Sequence, residues 1–472
     1  MALLRTADGR MRVIDGHSYA PRRVSVATVT KEQQQRGHRS CTIPSAPATL
    51  QHLHRKYGRL AWLEVLAPAT TIAQEGFAIT PLQRKQAGWV KEALRGDRAA
   101  CELFLRSGEA PAVGETLRQP RLAATLERIA SAGAEDFYRG ELARDIADDM
   151  RAHGGLLDEE DLASFSGPIE REPLCSTFRG LEVVTVPPPG GGLQLLVALK
   201  LLERLTPLAA DPTPDAWYAA IALATYGAFR ARELDPVLPE EMTSSVGRRL
   251  LGDERIAELL HLLQRSPSPE AAACEEPGDT THLTAADAEG NVVALTLSIQ
   301  SVFGAKVANE KLGFLYNNYL RTCPRDPHPF QLAPRCLSRS NASPVLILAN
   351  AGGERRPVLA LGSAGSRRIT SSLLQVTSNV VDRGMSIEEA IDAPRVHALL
   401  NRKVWVESRI ASSELTRSLR PYFTRFVTKA PYSFAMGAVH ALELHPGATL
   451  PGADPRRDGA GAVLPVPTDV RA

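Results

Sequence analysis

The segment TTHLTAADAEGNVVALTLSIQ, residues 280–300, constrains the fold more than any other part of the sequence. Apolar and polar residues alternate in its second half, and Asp-Ala-Glu-Gly-Asn separates the two halves, which predicts a β-hairpin. With the turn centred on Glu289, Thr280 lies directly opposite Ser298 in the antiparallel pair. The Cβ atoms of such partners are about 5 Å apart, which brings two hydroxyl groups within hydrogen-bonding reach.

Thr280 directly follows a segment of different composition. Residues 265–279, RSPSPEAAACEEPGD, have the Pro, Glu, Ala and Ser content of a mobile linker. Cleavage between Asp279 and Thr280 would free an α-amino group with a pKa of about 7.7 to 8.0, so Thr280 would supply both a nucleophile and its general base. The alternative is that Thr-Thr-His only reflects the β-propensity of residues at a strand start.

The rest of the sequence has a mainly helical first part and a strand-rich second part. An Asp-Gly turn predicts a hairpin at the N-terminus, and residues 45–165 show helical periodicity with Asp158 as a helix N-cap. A strand in LEVVTV then meets the helix LQLLVALKLLERL through PPPGGG, which lacks the Gly-Lys-Ser/Thr of a phosphate loop and is interpreted as a tight turn. Further strands are predicted in GFLYNNYL, SPVLILA and PVLALGS, followed by a helix in ITSSLLQVTSNVVDRG.

Composition excludes several classes of function. Lys and Arg (55 residues) nearly balance Asp and Glu (53 residues) without a basic stripe, so neither nucleic acid nor membrane is an expected partner. No apolar run is as long as a membrane span, and the first residues lack the pattern of a signal peptide, so the chain as written is expected to be cytoplasmic. The two histidines of His52-Leu53-His54 point to different sides of a helix, and neither a metal site nor a cofactor is predicted.

The six cysteines are widely spaced and contain no Cys-x-x-Cys pair. This spacing favours reduced thiols. A pairing of Cys323 with Cys336 in an oxidising compartment is the alternative.

An ordered set of motifs along nearly the whole chain resembles the γ-glutamyltranspeptidase family, also called glutathione hydrolases. The second-half motifs are GDTTHLTAADAEGNVVALTLS, FGAKVANEKLGFLYNNYL, LALGSAGSRRI, AIDAPRVH and GADPRRDG; the first-half motifs are IDGHSYAP, LHRKYGRL, DFYRGELARDIADDM, HGGLLDEEDLASF and VPPPGGGLQLL. The resemblance implies an N-terminal-nucleophile hydrolase with a four-layer αββα sandwich. It also implies a zymogen that cuts itself into a large-subunit-like region, 1–279, and a small-subunit-like region, 280–472, which stay together as a heterodimer in one folded unit.

The resemblance assigns the catalytic residues. Thr280 is the nucleophile, the bond after Asp279 is the processing site, and Ser298 supports the nucleophile from the neighbouring strand. The oxyanion hole is formed by the backbone N–H groups of Gly365 and Ser366, and donors fixed in this way lower a barrier by about 3 kcal/mol each.

The substrate pocket departs from the family pattern. His17 stands where the family has the arginine that binds the α-carboxylate of a γ-glutamyl group, and Thr322 stands where it has the aspartate that binds the α-amine. A buried ammonium without a charge partner is costly, so the acyl donor need not be γ-glutamyl. The other altered or implied substrate-binding positions are Gln300, Tyr319, Ser340 and Asn341. Alternatively, Arg339 or Arg22 restores the carboxylate clamp and the donor stays glutathione-like.

These observations favour an amidohydrolase or acyltransferase that takes a small-molecule acyl donor and passes the acyl group to water or an amine. The family's segment ahead of the hairpin at Met1 is expected to be missing. Because many family members carry an export signal in that segment, periplasmic or secreted localisation is the alternative to a cytoplasmic one. Two alternatives remain: a non-catalytic, truncated relative that acts as a binding protein, and a specialised biosynthetic acylase.

Overall fold

The computed structural model describes residues 1–207, 213–264 and 278–464. The predicted linker at 265–279 therefore lies outside the described residues except for Gly278 and the backbone of Asp279. The chain forms two compact units. The first comprises Met1–Val13, Arg171–Leu297 and Ser340–Ala472, and the second comprises Ile14–Glu170 and Ser298–Arg339. Each unit contains residues from both sides of the predicted cleavage site.

The described residues form the following elements. The strands are β1 (Ala2–Arg5), β2 (Met11–Asp15), β3 (Phe77–Ala78), β4 (Thr116–Leu117), β5 (Ile169–Arg171), β6 (Leu174–Phe178), β7 (Leu181–Thr185), β8 (Gly278–Ala286), β9 (Val292–Ser301), β10 (Val345–Ala351), β11 (Glu354–Ala364), β12 (Val396–Ala398), β13 (Lys403–Glu407), β14 (Arg425–Lys429), β15 (Ala438–His445) and β16 (Ala448–Ala453). The helices are α1 (Ala46–Tyr57), α2 (Trp62–Glu75), α3 (Pro81–Arg95), α4 (Arg98–Phe104), α5 (Pro120–Ala132), α6 (Asp136–Arg139), α7 (Glu141–Ala152), α8 (Glu159–Ala163), α9 (Gly192–Leu205), α10 (Pro214–Leu234), α11 (Ser244–Leu251), α12 (Asp253–Gln264), α13 (Arg368–Val381), α14 (Ile387–Asp392) and α15 (Ser413–Leu419).

The first unit is built around a six-stranded sheet of order β16-β15-β11-β10-β7-β6, in which neighbouring strands are antiparallel. Successive residues of β10 point to opposite faces. Val345 and Ile347 join the core beneath helices α9, α10 and α13, whereas Leu346 and Leu348 join the core formed with β1 and β9. Burial of each such side chain stabilises the fold by about 1.5 to 3 kcal/mol, so the sheet is held from both faces.

A five-stranded sheet has the order β5-β2-β1-β9-β8, and the boundary between the units falls within β2, β5 and β9. In the first unit, β1 pairs antiparallel with β9, and the amino group of Met1 donates to the carbonyl oxygen of Thr296 at 2.9 Å. Strand β8 packs against β11 and β15 of the six-stranded sheet. The strand that carries Thr280 is therefore positioned by both sheets of this unit.

The second unit is mainly helical and contains α1 to α8, as the periodicity of residues 45–165 predicts. The predicted N-cap is confirmed, since the Asp158 side chain accepts a hydrogen bond from the Asp161 N–H at 3.0 Å. The main core of the unit surrounds Tyr138, Ile146 and Met150. Cys323 and Cys336 are free thiols whose sulfur atoms are 3.6 Å apart.

The strand predicted in GFLYNNYL is wrong. Leu315 makes only an isolated β-bridge with Ala308, and a 3-10 helix occupies Tyr319–Thr322. The side chain of Asn317 explains the difference, because its Oδ1 accepts from the N–H groups of both Thr42 and Tyr319 at 3.1 Å. Side-chain bonds to backbone groups compete with a β-ladder.

The hairpins, the strands in LEVVTV, SPVLILA and PVLALGS, and the helices after PPPGGG and in ITSSLLQVTSNVVDRG are confirmed. Among the described helices, not one combines the length and the apolar character that a membrane crossing requires.

Candidate active site

Thr280 lies near the start of β8 and is partly exposed. The hairpin has the predicted register. The Asp287 N–H donates to the Asn291 carbonyl at 3.1 Å, and the ring of His282 bonds the Thr296 hydroxyl at 2.9 Å. Both pairs have the register that places Thr280 opposite Ser298, a pairing that stays a prediction because Ser298 belongs to the second unit.

His282 is a buried, neutral residue that positions β8. Its Nδ1 and Nε2 atoms each lie 2.9 Å from a threonine hydroxyl, those of Thr296 and Thr284. Burial lowers the pKa of His282 to about 3, because desolvation disfavours the imidazolium. The ring also lies against Gly362 of β11, where an added Cβ would come within 2.1 Å of its Cε1 atom. His282 therefore holds β8 against β11 as a neutral imidazole.

Arg457 binds the backbone on both sides of the predicted cleavage site. Its Nη1 donates to the carbonyl oxygen of Thr280 at 3.4 Å, and its Nη2 donates to that of Gly278 at 3.3 Å. The guanidinium is stacked over the ring of Phe434, at 3.9 Å from the ring centroid. A planar, permanently charged fork suits this bridging role. Arg457 thus holds the carbonyl groups of Gly278 and Thr280, the two residues that flank Asp279.

The segment that carries Arg457 is anchored by a buried ionic network. Arg456 pairs with Glu407 at 2.7 Å and with Asp454 at 3.2 Å, and Arg395 pairs with Asp454 at 2.6 Å. All four side chains are almost completely buried. In the motif GADPRRDG, the first arginine is therefore structural, and the second contacts β8, the strand that carries Thr280.

Gly365 and Ser366 form the turn between β11 and α13. Both have positive φ values, 135° and 56°, and a Cβ on Gly365 would lie 2.9 Å from the Cα of Gly437. Their N–H groups precede the first turn of α13, where unpaired backbone donors and the helix dipole favour a negative charge. This geometry suits the predicted oxyanion hole, with Ser366 in a left-handed conformation that glycine adopts more readily.

In the second unit, His17 has a fixed partner. Its Nδ1 contacts the Asp15 carboxylate, whose Oδ1 also accepts from the His17 N–H at 3.1 Å, and both side chains are buried. The role of His17 as a substrate-carboxylate clamp stays a prediction. The Asp15 contact fixes the imidazole and occupies one of its two nitrogens.

Gln300, Tyr319 and Thr322 also belong to the second unit. Gln300 has φ 82°, and its Oε1 accepts from the Ser301 hydroxyl at 2.7 Å. The hydroxyl of Thr322 donates to the Tyr319 carbonyl at 2.9 Å and accepts from the Arg339 N–H at 3.1 Å. The structure brings Tyr319 and Thr322 together at the two ends of one 3-10 helix.

Two arginines adjoin these positions. The Arg321 Nη1 donates to the hydroxyl of Ser301 at 2.5 Å, and the Arg339 Nε donates to the carbonyl of Thr322 at 3.3 Å. The other arginine considered as a clamp, Arg22, is engaged elsewhere and pairs with Asp158 and Glu160 at 2.8 Å. Sequence reasoning missed Arg321, although it lies between the two predicted pocket residues.

Ser340 and Asn341 lie in the first unit beside Arg232. The guanidinium of Arg232 donates to the Asn341 Oδ1 at 2.6 Å and to the Ser340 carbonyl at 3.0 Å. The PPPGGG turn packs on the same segment, since a Cβ on Gly191 would lie 2.7 Å from the Asn341 carbonyl oxygen. The turn is therefore the tight strand-to-helix connection that the sequence predicts.

Known proteins resemble this chain along nearly its whole length. The model of the gamma-glutamyltranspeptidase family matches residues 1–464. An acylase ACY 1 proenzyme of Pseudomonas sp. strain SE83 is 31% identical over 95% of this chain and 82% of its own length. A glutathione hydrolase proenzyme of Escherichia coli K12 is 27% identical over 96% of this chain and 81% of its own length. The crystal structure of a cephalosporin acylase from Bacillus halodurans superimposes with a TM-score of 0.86, at 28% identity, over 98% of this chain and 87% of that one.

The fold is that of the N-terminal-nucleophile hydrolases. The chain belongs to the γ-glutamyltranspeptidase family, and its relatives are enzymes that act as glutathione hydrolases and acylases. These comparisons support an enzyme over a non-catalytic binding protein.

Proposed function

We propose that this protein is a self-processing amidohydrolase whose preferred acyl donor lacks the α-ammonium group of a γ-glutamyl substrate. The observation that carries the processing step is the contact of Arg457 with the carbonyl oxygens of Gly278 and Thr280, which fixes the backbone on both sides of Asp279. The proenzyme names of the relatives support the same step.

In the processing step, the Thr280 hydroxyl attacks the carbonyl carbon of Asp279 and its proton passes to the departing nitrogen. The peptide C–N bond breaks and an ester links Asp279 to Thr280. Water then hydrolyses the ester, which leaves a carboxylate on Asp279 and a free α-amino group on Thr280. That amine serves as general base when the hydroxyl attacks a substrate amide.

The donor class follows from the predicted pocket positions. Thr322 carries an uncharged hydroxyl, which cannot neutralise an ammonium group. This hydroxyl is also already bonded to Tyr319 and Arg339. Arg321 and Arg339 supply positive charge beside the same helix. An acyl chain with a terminal carboxylate and no amine matches these charges, because a carboxylate binds a guanidinium through charge-assisted hydrogen bonds.

Two experiments test these steps separately. Intact mass should show fragments that end at Asp279 and begin at Thr280, and Thr280→Ala should stay uncut, whereas Thr281→Ala, altered at the neighbouring exposed hydroxyl, should be cut normally. An uncut native chain would refute the processing step. Processed enzyme should then hydrolyse glutaryl-p-nitroanilide faster than γ-glutamyl-p-nitroanilide, two substrates that differ only in the α-ammonium. Faster hydrolysis of γ-glutamyl-p-nitroanilide would refute the proposed donor and favour a glutathione-like substrate.

A further inference from the structure

His38, Asp149 and His153 form a cluster of side chains in the second unit that the proposed reaction does not use. His38 begins a 3-10 helix, Asp149 lies in the last turn of α7, and His153 is the C-cap of the same helix. Asp149 and His153 are four residues apart, a spacing that places both side chains on one helix face. One ligand atom from each of the three residues lies within 4.8 Å of the other two.

The buried imidazole of His38 is an independent indication of a ligand. Its Nε2 is inaccessible to solvent and has no hydrogen-bond partner among the residues that the structure describes. Oδ2 of Asp149 lies 3.6 Å from this nitrogen, and the two side chains are only 8% and 9% exposed. A buried polar atom without a partner is unfavourable, so this nitrogen would be stabilised by binding a ligand.

The surroundings orient all three groups. The hydroxyl of Tyr316 donates to Asp149 Oδ2 at 2.8 Å, and Asn309 in turn donates to that hydroxyl at 2.8 Å. The rings of His38 and His153 are stacked at 4.5 Å with an interplanar angle of 8°. Partners that hold a ligand carboxylate in place are characteristic of protein metal sites.

We propose that His38, Asp149 and His153 bind one divalent transition-metal ion of the Zn²⁺ type. Two imidazoles and one carboxylate match the ligand preference of Zn²⁺. In a tetrahedral site with bonds of about 2.1 Å the ligand atoms are about 3.4 Å apart, so the cluster must contract. His153 has a 45% exposed side chain, which permits this movement and leaves a path for the ion and a position for water.

The ion would tie the segment around His38 to the end of α7. The sequence predicts no metal site, since His38 lies far along the chain from Asp149 and His153 and no familiar spacing relates the three residues.

The test uses the full-length protein with ZnCl₂ and CoCl₂. Equilibrium dialysis with metal analysis should show one Zn²⁺ per chain that is lost in His153→Ala and in His38→Ala, and Zn²⁺ should raise the Tm of the native chain only. Co²⁺ should give the visible absorption of a four-coordinate site. The control is His445→Ala, which removes an imidazole 3.0 Å from a Glu443 carboxylate oxygen and should leave the stoichiometry unchanged.

If the native chain binds no Zn²⁺, or if His153→Ala binds it equally well, the proposal is wrong. His153 is the more exposed ligand, so His153→Ala tests the site even if His38→Ala does not fold.

Discussion

The imidazole of His282 lies directly over the backbone of Gly362, with no room between them for a methyl group. This contact sets how closely β8, the strand that carries Thr280, packs on β11 of the six-stranded sheet. Thr280 lies two residues before His282 on β8, and Gly365 lies three residues after Gly362, just beyond the end of β11. A change at the Gly362–His282 contact should therefore move the proposed nucleophile relative to the predicted oxyanion hole.

The first prediction concerns Gly362. In Gly362→Ala the new Cβ would meet the His282 ring at 2.1 Å, and because His282 is fully enclosed the strands must separate. We expect a loss of about 2 kcal/mol or more in the free energy of unfolding, together with slower processing. Chemical denaturation and intact mass measure the two effects. Gly88→Ala, where a Cβ meets nothing within 4 Å, is the control and should not destabilise. Equal behaviour of the two variants would contradict the proposed role of the contact.

The second prediction concerns Arg457. Arg457→Ala removes the donors to the Gly278 and Thr280 carbonyls, so the scissile segment loses its fixed geometry. We expect self-processing to slow about tenfold, which corresponds to about 1.4 kcal/mol, with little change in the unfolding midpoint. Arg457→Lys should be nearly as slow, because an ammonium lacks the fork that bridges two carbonyl groups. Time-resolved mass spectrometry gives the rates, with the exposed Arg420→Ala as control. Processing at the native rate in Arg457→Ala would show that the contact is incidental.

The third prediction concerns Ser366, whose φ of 56° is unfavourable for any residue with a Cβ. Ser366→Gly should gain about 1 kcal/mol in the free energy of unfolding and keep its turnover, because the backbone N–H is retained. Ser107→Gly, at an exposed residue with φ 50°, should give a similar gain without any link to catalysis. A large fall in turnover for Ser366→Gly alone would show that the serine side chain itself takes part.

The fourth prediction concerns pH. The folded-state pKa of His282 is about 3 and its ordinary value is 6.5, so only the unfolded chain binds this proton between those values. The stability contribution is therefore complete above about pH 6.5 and decreases as the pH falls toward 3, by roughly 1.4 kcal/mol for each pH unit. Denaturant titrations across this range should show a weaker pH dependence in His282→Gln, whose amide can bond the same hydroxyls without titrating. Parallel curves for the two proteins would mean that His282 does not control acid stability.

The fifth prediction concerns Arg321, which lies between Tyr319 and Thr322. Arg321→Gln should raise KM for glutaryl-p-nitroanilide about tenfold with a smaller effect on kcat, since a guanidinium–carboxylate bond contributes to binding. An uncharged valeryl anilide serves as the control substrate and should be affected little. If KM rises equally for both substrates, Arg321 supports the structure of the pocket and does not bind the substrate carboxylate.

Local patterns in the sequence predicted the elements that are held by alternation and by turns. The hairpin around Asp287 and Asn291 has the expected register because one face of β9 is buried and a shift by one residue would expose it. The helix N-cap at Asp158 was equally predictable from its own neighbours.

Features that depend on long-range contacts could not be predicted from the sequence. The segment around Asn317 has β-propensity, yet it does not join a β-ladder. The side-chain oxygen of Asn317 instead accepts hydrogen bonds from two backbone N–H groups. The sequence does not distinguish the adjacent arginines 456 and 457. The fold buries Arg456 in an ionic network and directs Arg457 to the carbonyl of Thr280. His38 and His153 meet only because α7 ends beside the segment that follows Gly37.

The turn from Asp287 to Asn291 also decides which of two adjacent threonines is partly covered by the fold. Asp287 Oδ1 accepts from the N–H groups of Glu289 and Asn291, which fixes the number of residues in the loop. Thr280 is partly covered and Thr281 is exposed. A loop longer by one residue would slide the strands past each other by one step and turn Thr281 inward. Cleavage would then leave the covered hydroxyl one residue away from the new amino terminus. The number of residues at the hairpin tip is therefore what would keep the proposed nucleophile and its general base on the same amino acid.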